Sequence, residues 1–148
     1  MSKKRAIIVD LDGTLSNCEH RVHHVQKEPK DWVSFHSSLV EDKLNNWCHT
    51  LINAMLKDDV TIILLTGRDE KYRDLTLGWL ERHAITFEDL HMRPDEDRRS
   101  DHIVKKDIYH NSIKEDFDIL FVLEDRKSVV QMWRDEGITC LHCDWGEF

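Results

Sequence analysis

Two aspartates, Asp10 and Asp12, follow directly on the apolar run AIIV at residues 6–9. Burying a carboxylate is costly unless a positive charge meets it. The segment is therefore either a strand that leaves the core through a polar turn, or a strand that holds two carboxylates in place for chemistry.

Two further apolar runs also end in polar residues of the kinds that bind phosphate or metal. They are TIILLTGR at 61–68 and DILFVLED at 118–125. Ligands of an open α/β sheet bind outside the carboxyl ends of its strands. Three strands would thus bring carboxylates, a hydroxyl and an arginine to one edge. Strand ends are commonly polar, and a lone Asp-x-Asp is weak in an acidic chain, but the coincidence of three strand ends favours a functional site.

The elements that position these residues follow from hydrophobic periodicity. The continuous apolar runs are typical of parallel strands buried on both faces, and weaker strand-like runs follow at 89–92 and 137–143. Four segments between the strands show the i, i+3, i+4 spacing of an amphipathic helix. The residues predicted to face inward are Leu44, Trp47, Cys48, Leu51, Ile52 and Met55; Tyr72, Leu75, Thr76, Trp79 and Leu80; Ile103, Val104 and Ile108, within a weaker helix over 101–115; and Val129, Val130 and Trp133. This alternation predicts an α/β fold with a central parallel sheet covered by helices.

Length and composition predict one domain spanning residues 1–148. The chain has 40% hydrophobic residues and no Pro/Gly/Ser-rich stretch. No apolar run approaches the roughly 20 residues of a membrane helix, and the start MSKKRAII lacks the apolar segment of a secretory signal. We therefore expect a cytoplasmic protein without membrane contact, whose four cysteines are thiols.

The formal net charge of −8 at pH 7 limits the classes of ligand. Affinity for the nucleic-acid backbone comes from clustered Lys and Arg, so this charge argues against a broad electrostatic grip on nucleic acid. A small anion held in a local basic pocket is compatible with it.

The motifs at the three strand ends resemble those of the haloacid dehalogenase (HAD) superfamily. The run DLDGT at 10–14 resembles its DxDGT signature, TGR at 66–68 its second motif, and EDR at 124–126 its acidic fourth motif. The chain is also similar to the phosphatase domains of bacteriophage polynucleotide kinase/phosphatases, through Arg21, DHIVKKDIY at 101–109 and the tail at 129–148. This resemblance covers nearly the whole chain and is weakest over 22–43. It departs at Glu124, where a second aspartate is usual, and at His102, where the subgroup often has an acid.

The resemblance implies a HAD-like Rossmannoid three-layer sandwich with a small cap insert at about 15–43. It also implies an Mg²⁺-dependent phosphomonoesterase in which Asp10 is the nucleophile, forms an aspartyl-phosphate, and is assisted by Asp12 as general acid/base. Asp10, the backbone carbonyl of Asp12 and Asp125 would bind Mg²⁺, with Glu124 as a candidate ligand through water. The like charge of Asp10 would raise the pKa of Asp12.

Phosphate binding is assigned to the remaining motif residues. Thr66 would donate a hydrogen bond to a phosphoryl oxygen, and Lys105 would compensate the negative charge. Lys106 is the rival of Lys105, and because neighbouring helix positions point about 100° apart, only one of the two can enter the site. Gly67, Arg68 and Arg21 would bind the substrate, since a planar guanidinium suits phosphate. The alternative for Arg21 is a solvated loop residue.

Other functional classes fit the sequence less well than a phosphatase does. A phosphate-accepting receiver domain would carry its aspartate after the third strand and lack DxDGT. An inert binding protein would be expected to lose Asp10, Asp12 or Lys105, and all three are present.

The substrate is expected to be a phosphorylated nucleic-acid end, with removal of the 3′-phosphate as the reaction. The alternative is a nucleotidase acting on free nucleoside monophosphates, because residues 93–106 carry five basic residues against four acids. The sequence contains no Walker motif GxxxxGK(S/T), so we expect no kinase half in it. We also expect no obligate protein partner.

Three further features can be explained by structure alone, without a role in catalysis. Trp32, Phe35 and Leu39 predict a short amphipathic helix, which either packs on the core or also walls the substrate pocket. The histidines His20, His23 and His24 lie near the first motif and either contact substrate or belong to a loop without such a role. In CLHC at 140–143 no second ligand pair completes a zinc site, so Cys140 is predicted to face the core and Cys143 to lie in the next loop.

Overall fold

A parallel sheet of five strands runs through the structure, a computed structural model that describes residues 3–144. The strands of this sheet are β1 (Lys4–Val9), β4 (Thr61–Asp69), β5 (Asp89–Arg93), β6 (Phe117–Glu124) and β7 (Cys140–His142). Two short strands, β2 (Ser16–Asn17) and β3 (Lys43–Leu44), pair with each other outside it. The helices are α1 (Trp32–Ser37), α2 (Asn46–Lys57), α3 (Arg73–Arg82), α4 (Asp101–Ile108) and α5 (Lys127–Asp135). The order in the sheet is β5-β4-β1-β6-β7, so β1 is central and β4 and β6 flank it.

The side chains of β1 alternate between two apolar layers, as the period-two geometry of a strand requires. Ile7 and Val9 pack in the layer that contains the buried residues of α2 and α3. Ala6 and Ile8 pack in the layer that contains the buried residues of α5. The sheet is therefore covered on both faces, and the predicted three-layer α/β architecture is confirmed.

The predicted strands and helices are all present, but three of the residues predicted to face inward are exposed. Trp47, Leu75 and Ile103 are 47, 42 and 39% exposed. Each of them precedes a fully buried residue, respectively Cys48, Thr76 and Val104. Because neighbours on a helix point about 100° apart, only one of each pair can face the sheet. The predicted helix over 101–115 consists of two parts. The α-helix α4 ends at Ile108, and one turn of π-helix, Tyr109–Ile113, follows it.

Between β1 and α2 lies a segment, residues 16–44, that we call the insert. Its two ends pair as the antiparallel strands β2 and β3, with Ser16 opposite Leu44. Within it, α1 is followed by a short 3₁₀ helix, Ser38–Glu41, which confirms the predicted helical segment. Cys18, Val25 and Phe35 form its small apolar cluster.

The cysteines agree with the sequence analysis. All four are free thiols. Cys140 packs in the core from β7, and Cys143 lies after that strand. Among residues 3–144, none of the helices has both the length and the apolar character needed to cross a membrane.

Candidate active site

Three buried carboxylates meet where β1 and β6 end. They belong to Asp10, Glu124 and Asp125, and one oxygen of each lies within 4.8 Å of the others. The parallel pairing of β1 with β6 brings them together, because it places Val9 beside Leu123 and lets the Asp10 N–H donate to the Leu123 carbonyl at 3.1 Å. The fold thus gathers the acids that the sequence places at two separate strand ends.

The cation inside this cluster is Lys105 rather than Lys106. The Lys105 Nζ donates to Asp10 Oδ1 at 2.9 Å and to Glu124 Oε2 at 2.8 Å, and the residue is only 2% exposed. Burial lowers the pKa of Lys105, but the two carboxylates outweigh burial and hold that pKa well above its ordinary value. The Lys106 ammonium is exposed and pairs with Glu136 at 3.4 Å.

Lys105 does not balance the charge of the three carboxylates, and one oxygen is left over. Within residues 3–144, Asp125 Oδ2 is buried and has no hydrogen-bond partner. Burial and the neighbouring Asp10 carboxylate raise the pKa values of Asp125 and Glu124, although Lys105 opposes the rise at Glu124. A hard divalent cation bound by oxygen ligands would supply the missing positive charge, so the residues present fit a metal of this class.

Gly13 brings the chain against this cluster. Its φ of 85° lies in the left-handed region, and a Cβ at this position would clash with Asp125 Oδ2. Both the backbone conformation and the close approach therefore require glycine.

Replacing Gly13 with alanine is expected to lower the free energy of unfolding by about 2–3 kcal/mol, because the strained φ and the displaced Asp125 both cost energy. The phosphatase activity that the sequence motifs predict should fall with it. Urea unfolding and a phosphate-release assay measure the two effects. Gly78→Ala is the matched control, since this α3 glycine has nothing within 4 Å of its Cβ position. Equal unfolding midpoints and equal activities for the two variants would show that Gly13 does not approach Asp125 in this way.

Asp12 is held by two arginines. Arg68 donates to Asp12 Oδ1 from Nη2 at 2.6 Å and to both carboxylate oxygens from Nε at 3.2 Å, and Arg21 Nη2 also donates to Oδ1. Burial raises the pKa of Asp12, but the guanidiniums of Arg68 and Arg21 outweigh burial and hold that pKa well below its ordinary value. The prediction that the charge of Asp10 raises this pKa is therefore wrong, because two cations contact Asp12 directly.

Arg21 is completely buried, so the alternative of a solvated loop residue is wrong. Its guanidinium donates to the buried carboxylate of Asp42 at 2.7 Å from Nε and at 2.6 Å from Nη2. It also donates to the Phe35 carbonyl at 3.0 Å and lies 4.3 Å from the centroid of the Phe35 ring. Arg68 is equally buried and donates to Thr76 Oγ1 at 3.1 Å. Direct contact of either arginine with substrate stays a prediction.

Asp42 is a site residue that the sequence analysis missed. Its carboxylate binds Arg21, and its Oδ1 lies 2.7 Å from His20 Nε2. Its backbone carbonyl accepts a hydrogen bond from Trp79 Nε1 at 2.9 Å. No motif points to it, since it lies in the insert, far along the chain from Asp12.

Thr66 and Gly67 lie at the end of β4, as predicted. Thr66 is buried, and its Oγ1 accepts from the Arg68 N–H at 3.2 Å. Gly67 lines a cleft above the carboxylates, where a Cβ would stand 2.7 Å from Asp101 Oδ1. The Gly67 carbonyl accepts from Arg93 Nε at 3.0 Å. The role of Thr66 as a donor to phosphate stays a prediction.

Asp101 is the second residue that the sequence analysis missed. Its carboxylate accepts from Arg93 Nη2 and, at 2.8 Å, from Arg126 Nη1. A signal for it exists, because Asp101 precedes Lys105 by four positions on α4, and residues at this spacing share one helix face.

These residues form the floor and one side of a cleft of about 560 Å³. The floor consists of Asp10, Asp12, Lys105, Glu124 and Asp125. We call its aromatic side, formed by Trp32, Phe35, His36 and Tyr72, the aromatic wall, and its cationic side chains, Lys71, Arg93, Arg98, Arg99 and Arg126, the basic rim. The segment carrying Trp32 and Phe35 thus walls the cleft. His20, His23 and His24 are not among the residues that line it in the described part of the chain.

Comparison with known proteins gives one family match along nearly the whole chain. Residues 4–148 match the family of the polynucleotide kinase PNKP phosphatase domain. Among curated proteins, the chain is 27% identical over 133 residues to a protein of Autographa californica nuclear polyhedrosis virus that is named as a bifunctional polynucleotide kinase/RNA ligase. That match covers 88% of this chain and 18% of the viral protein.

Solved structures of two kinds share the fold. A chain of a Pnkp1/Rnl/Hen1 RNA repair complex superposes with a TM-score of 0.86 at 33% identity, over 99% of this chain and 44% of that one. The class C acid phosphatase of Bacillus anthracis superposes with a TM-score of 0.71 at 18% identity, over 100% of this chain and 69% of that one. The chain therefore spans less than half of the repair-complex chain and less than a fifth of the viral protein.

Proposed function

Because this chain belongs to the family of PNKP phosphatase domains within the HAD superfamily, we propose that it removes the 3′-phosphate from nucleic-acid ends, with Mg²⁺ as its cofactor. The observation that carries the proposal is the buried cluster of Asp10, Lys105 and Asp125 on the floor of a cleft with a basic rim. In this proposal residues 1–148 form one phosphatase domain, and the insert acts as its small cap.

Asp10 is the nucleophile of the proposed reaction. A carboxylate oxygen attacks phosphorus, the bond from phosphorus to the 3′-oxygen breaks, and an aspartyl-phosphate forms. Lys105 and the Thr14 hydroxyl, which donates to Asp10 Oδ2 at 3.2 Å, orient the attacking group. Lys105 also offsets part of the repulsion between the carboxylate and the phosphate dianion.

Asp12 moves the protons. It gives a proton to the departing 3′-oxygen and then takes one from the water that attacks the aspartyl-phosphate, which releases phosphate and restores Asp10. In the free protein the two arginines keep Asp12 ionised. A bound phosphate dianion opposes their effect and raises the pKa of Asp12, so that it can carry the proton when substrate is present.

The residues that would hold Mg²⁺ are Asp10, Asp125 and the backbone carbonyl of Asp12, with Glu124 acting through water. The unpartnered oxygen of Asp125 supports this assignment. Glu124 fits the indirect role because its oxygens already accept from Lys105 and from the N–H groups of Asp125 and Arg126. When bound, the ion supplies positive charge that neutralises the phosphate oxygens.

The basic rim favours a nucleic-acid strand over a free nucleotide as the substrate. Its five cations lie beside three carboxylates of the cleft, those of Asp69, Asp97 and Asp101, and two of them also pair with Glu96 and Asp107 outside it, in a chain whose net charge is −8. Arg98 is its most exposed arginine and, within residues 3–144, makes a single ion pair, at 3.7 Å with Glu96. A nucleic-acid end has further phosphates to place there, whereas a nucleoside monophosphate has none beyond the one at Asp10.

A nucleotidase is the second candidate, and the pairing of the other rim arginines favours it. Arg93 is bound to Asp101, and Arg99 is bound to Asp97 and Asp107. Charges satisfied in this way attract a strand less strongly than free ones.

We expect kcat/KM on a 3′-phosphorylated oligonucleotide to exceed that on the matching nucleoside 3′-monophosphate by at least about tenfold, because phosphate contacts add binding energy. The same strand phosphorylated at its 5′ end should be a poor substrate, and a chelator should abolish turnover. Phosphate release from DNA and RNA versions of each substrate, with Mg²⁺ and with chelator, measures all three effects.

Arg98→Ala should lower the ratio of kcat/KM on the strand to kcat/KM on the mononucleotide. It should also lower the slope of log KM against log salt concentration by about one, the change expected for one lost phosphate contact. The matched control is Arg5→Ala, which removes an arginine from the amino end of β1, where it pairs with Asp58. Equal turnover of strand and mononucleotide by the wild-type protein would identify a nucleotidase instead.

The relatives leave one question of partners open. Because the matched solved chain is part of a Pnkp1/Rnl/Hen1 complex, the expectation that this chain needs no protein partner stays a prediction.

A further inference from the structure

Trp32 is an exposed aromatic side chain inside the catalytic cleft. It is 40% exposed, although the neighbouring Phe35 and His36 of the same helix are buried. The exposed part of an aromatic side chain beside a cluster of catalytic residues is available to a ligand.

Two aromatic side chains of the same helix contact the Trp32 ring. Phe35 meets it edge-on, with centroids 5.5 Å apart, and His36 stacks against it at 5.9 Å with 24° between the ring planes. His36 in turn lies 5.0 Å from the ring of Tyr72. The start of α1 is capped by Asp31, whose Oδ1 accepts from the Ser34 N–H at 3.0 Å. A ligand that stacks on Trp32 therefore meets a ring whose position is already set.

The aromatic wall is joined to the catalytic acid through one residue. Arg21 donates to the Phe35 carbonyl and packs on the Phe35 ring, and the same guanidinium donates to Asp12. Buried contacts therefore hold Trp32 in place relative to the floor of the cleft. A site that binds two parts of one substrate needs such a fixed spacing.

Two lysines lie beside the aromatic wall, which suits an anion with a flat ring. The Lys30 ammonium lies 5.8 Å from the centroid of Trp32, and that of Lys71 lies 5.3 Å from the centroid of Tyr72. His36 is neutral, because burial and then the charge of Arg68 lower its pKa to about 4 in spite of Asp12. Aromatic faces alternating with cations are the surface on which nucleic-acid bases stack and their phosphates bind.

We propose that Trp32 stacks against the base of the terminal nucleotide whose 3′-phosphate lies at Asp10. This inference rests on the proposed function and adds the residue that recognises the strand end. An unpaired base exposes both of its faces, so we expect single-stranded or frayed ends to be the better substrates. Stacking is also tolerant of sequence, since every base has an aromatic face.

The test removes the ring and the base separately. The substrates are two 3′-phosphorylated oligonucleotides that differ only in the last nucleotide, which is either thymidine or a tetrahydrofuran abasic analogue. Loss of the base should raise KM about tenfold for the wild-type protein, and less than twofold for Trp32→Ala, because the partner ring is gone. Trp32→Phe should keep most of the tenfold effect. Trp47→Ala should keep all of it, since Trp47 is an equally exposed tryptophan outside this cleft.

A tenfold effect of base removal that persists in Trp32→Ala would overturn the inference. Its failure can be told from failure of the proposed function, because wild-type turnover of the thymidine-ended strand tests the latter alone. If that turnover is absent, binding of the two fluorescent strands to the same variants, followed by anisotropy, gives the same comparison. Failure of the strands to bind, or equal effects of base removal on binding to the wild-type protein and Trp32→Ala, would also overturn the inference.

Discussion

Replacing Asp10 with asparagine is expected to lower kcat on a 3′-phosphorylated strand by at least about a thousandfold, because an amide cannot form the aspartyl-phosphate. The asparagine has nearly the same size, and its side-chain oxygen can still accept from Lys105, which also keeps its partner Glu124. The folded structure should therefore persist. Steady-state phosphate release and urea unfolding measure the two properties.

Asp58→Asn is the control for this variant. Asp58 is an exposed aspartate that pairs with Arg5, at the opposite edge of the sheet from the site. It should keep wild-type turnover. If Asp10→Asn retained a tenth of the wild-type kcat with Mg²⁺ present, Asp10 would not be the nucleophile.

The second large effect is expected at Lys105. In Lys105→Met the carboxylates of Asp10 and Glu124 lose the one cationic side chain that pairs with them among the described residues, next to the buried Asp125. We expect kcat/KM to fall at least about a hundredfold, because phosphate then meets an uncompensated negative site. In chelator the free energy of unfolding should fall by about 3–5 kcal/mol, the usual cost of breaking a buried ion pair.

Lys106→Met is the matched variant, since it removes the neighbouring lysine from the exposed face of α4. Its effect on the free energy of unfolding should stay within about 0.5 kcal/mol, as for other surface ion pairs. Enzyme assays and urea unfolding of both variants decide between the two lysines. The assignment of Lys105 would be wrong if Lys106→Met were the more damaged variant.

The fold and the floor of the cleft were predictable because they follow from local patterns. A continuous apolar run such as AIIV can only be buried on both faces, and parallel strands deliver their carboxyl ends to one edge. Asp10, Glu124 and Asp125 therefore had to come close together. The resemblance favoured Lys105 over Lys106, and only the structure shows which of them enters the cluster, because both lie on one helix and differ in the direction in which they point.

The surroundings of Asp12 were not predictable, because they depend on tertiary contacts. The sequence shows Asp10 two positions away, which favours a raised pKa, but the fold adds Arg21 and Arg68 at hydrogen-bond distance. Asp42 enters through the insert, where the sequence has no strong periodicity and no motif. The exposed Trp32, which we propose to contact the substrate, lies in the same segment, for which the sequence left core packing and a wall of the pocket as alternatives.

The most direct test of the account is to trap phosphate on the protein. A strand whose 3′-phosphate is radiolabelled is mixed with excess wild-type protein and Mg²⁺ and quenched in acid at successive times within one turnover. We predict a transient, base-labile label on the peptide that contains Asp10, and none in Asp10→Asn. Label on another side chain, or a complete turnover with no labelled protein at any time, would contradict attack by Asp10 on the 3′-phosphate of a nucleic-acid end.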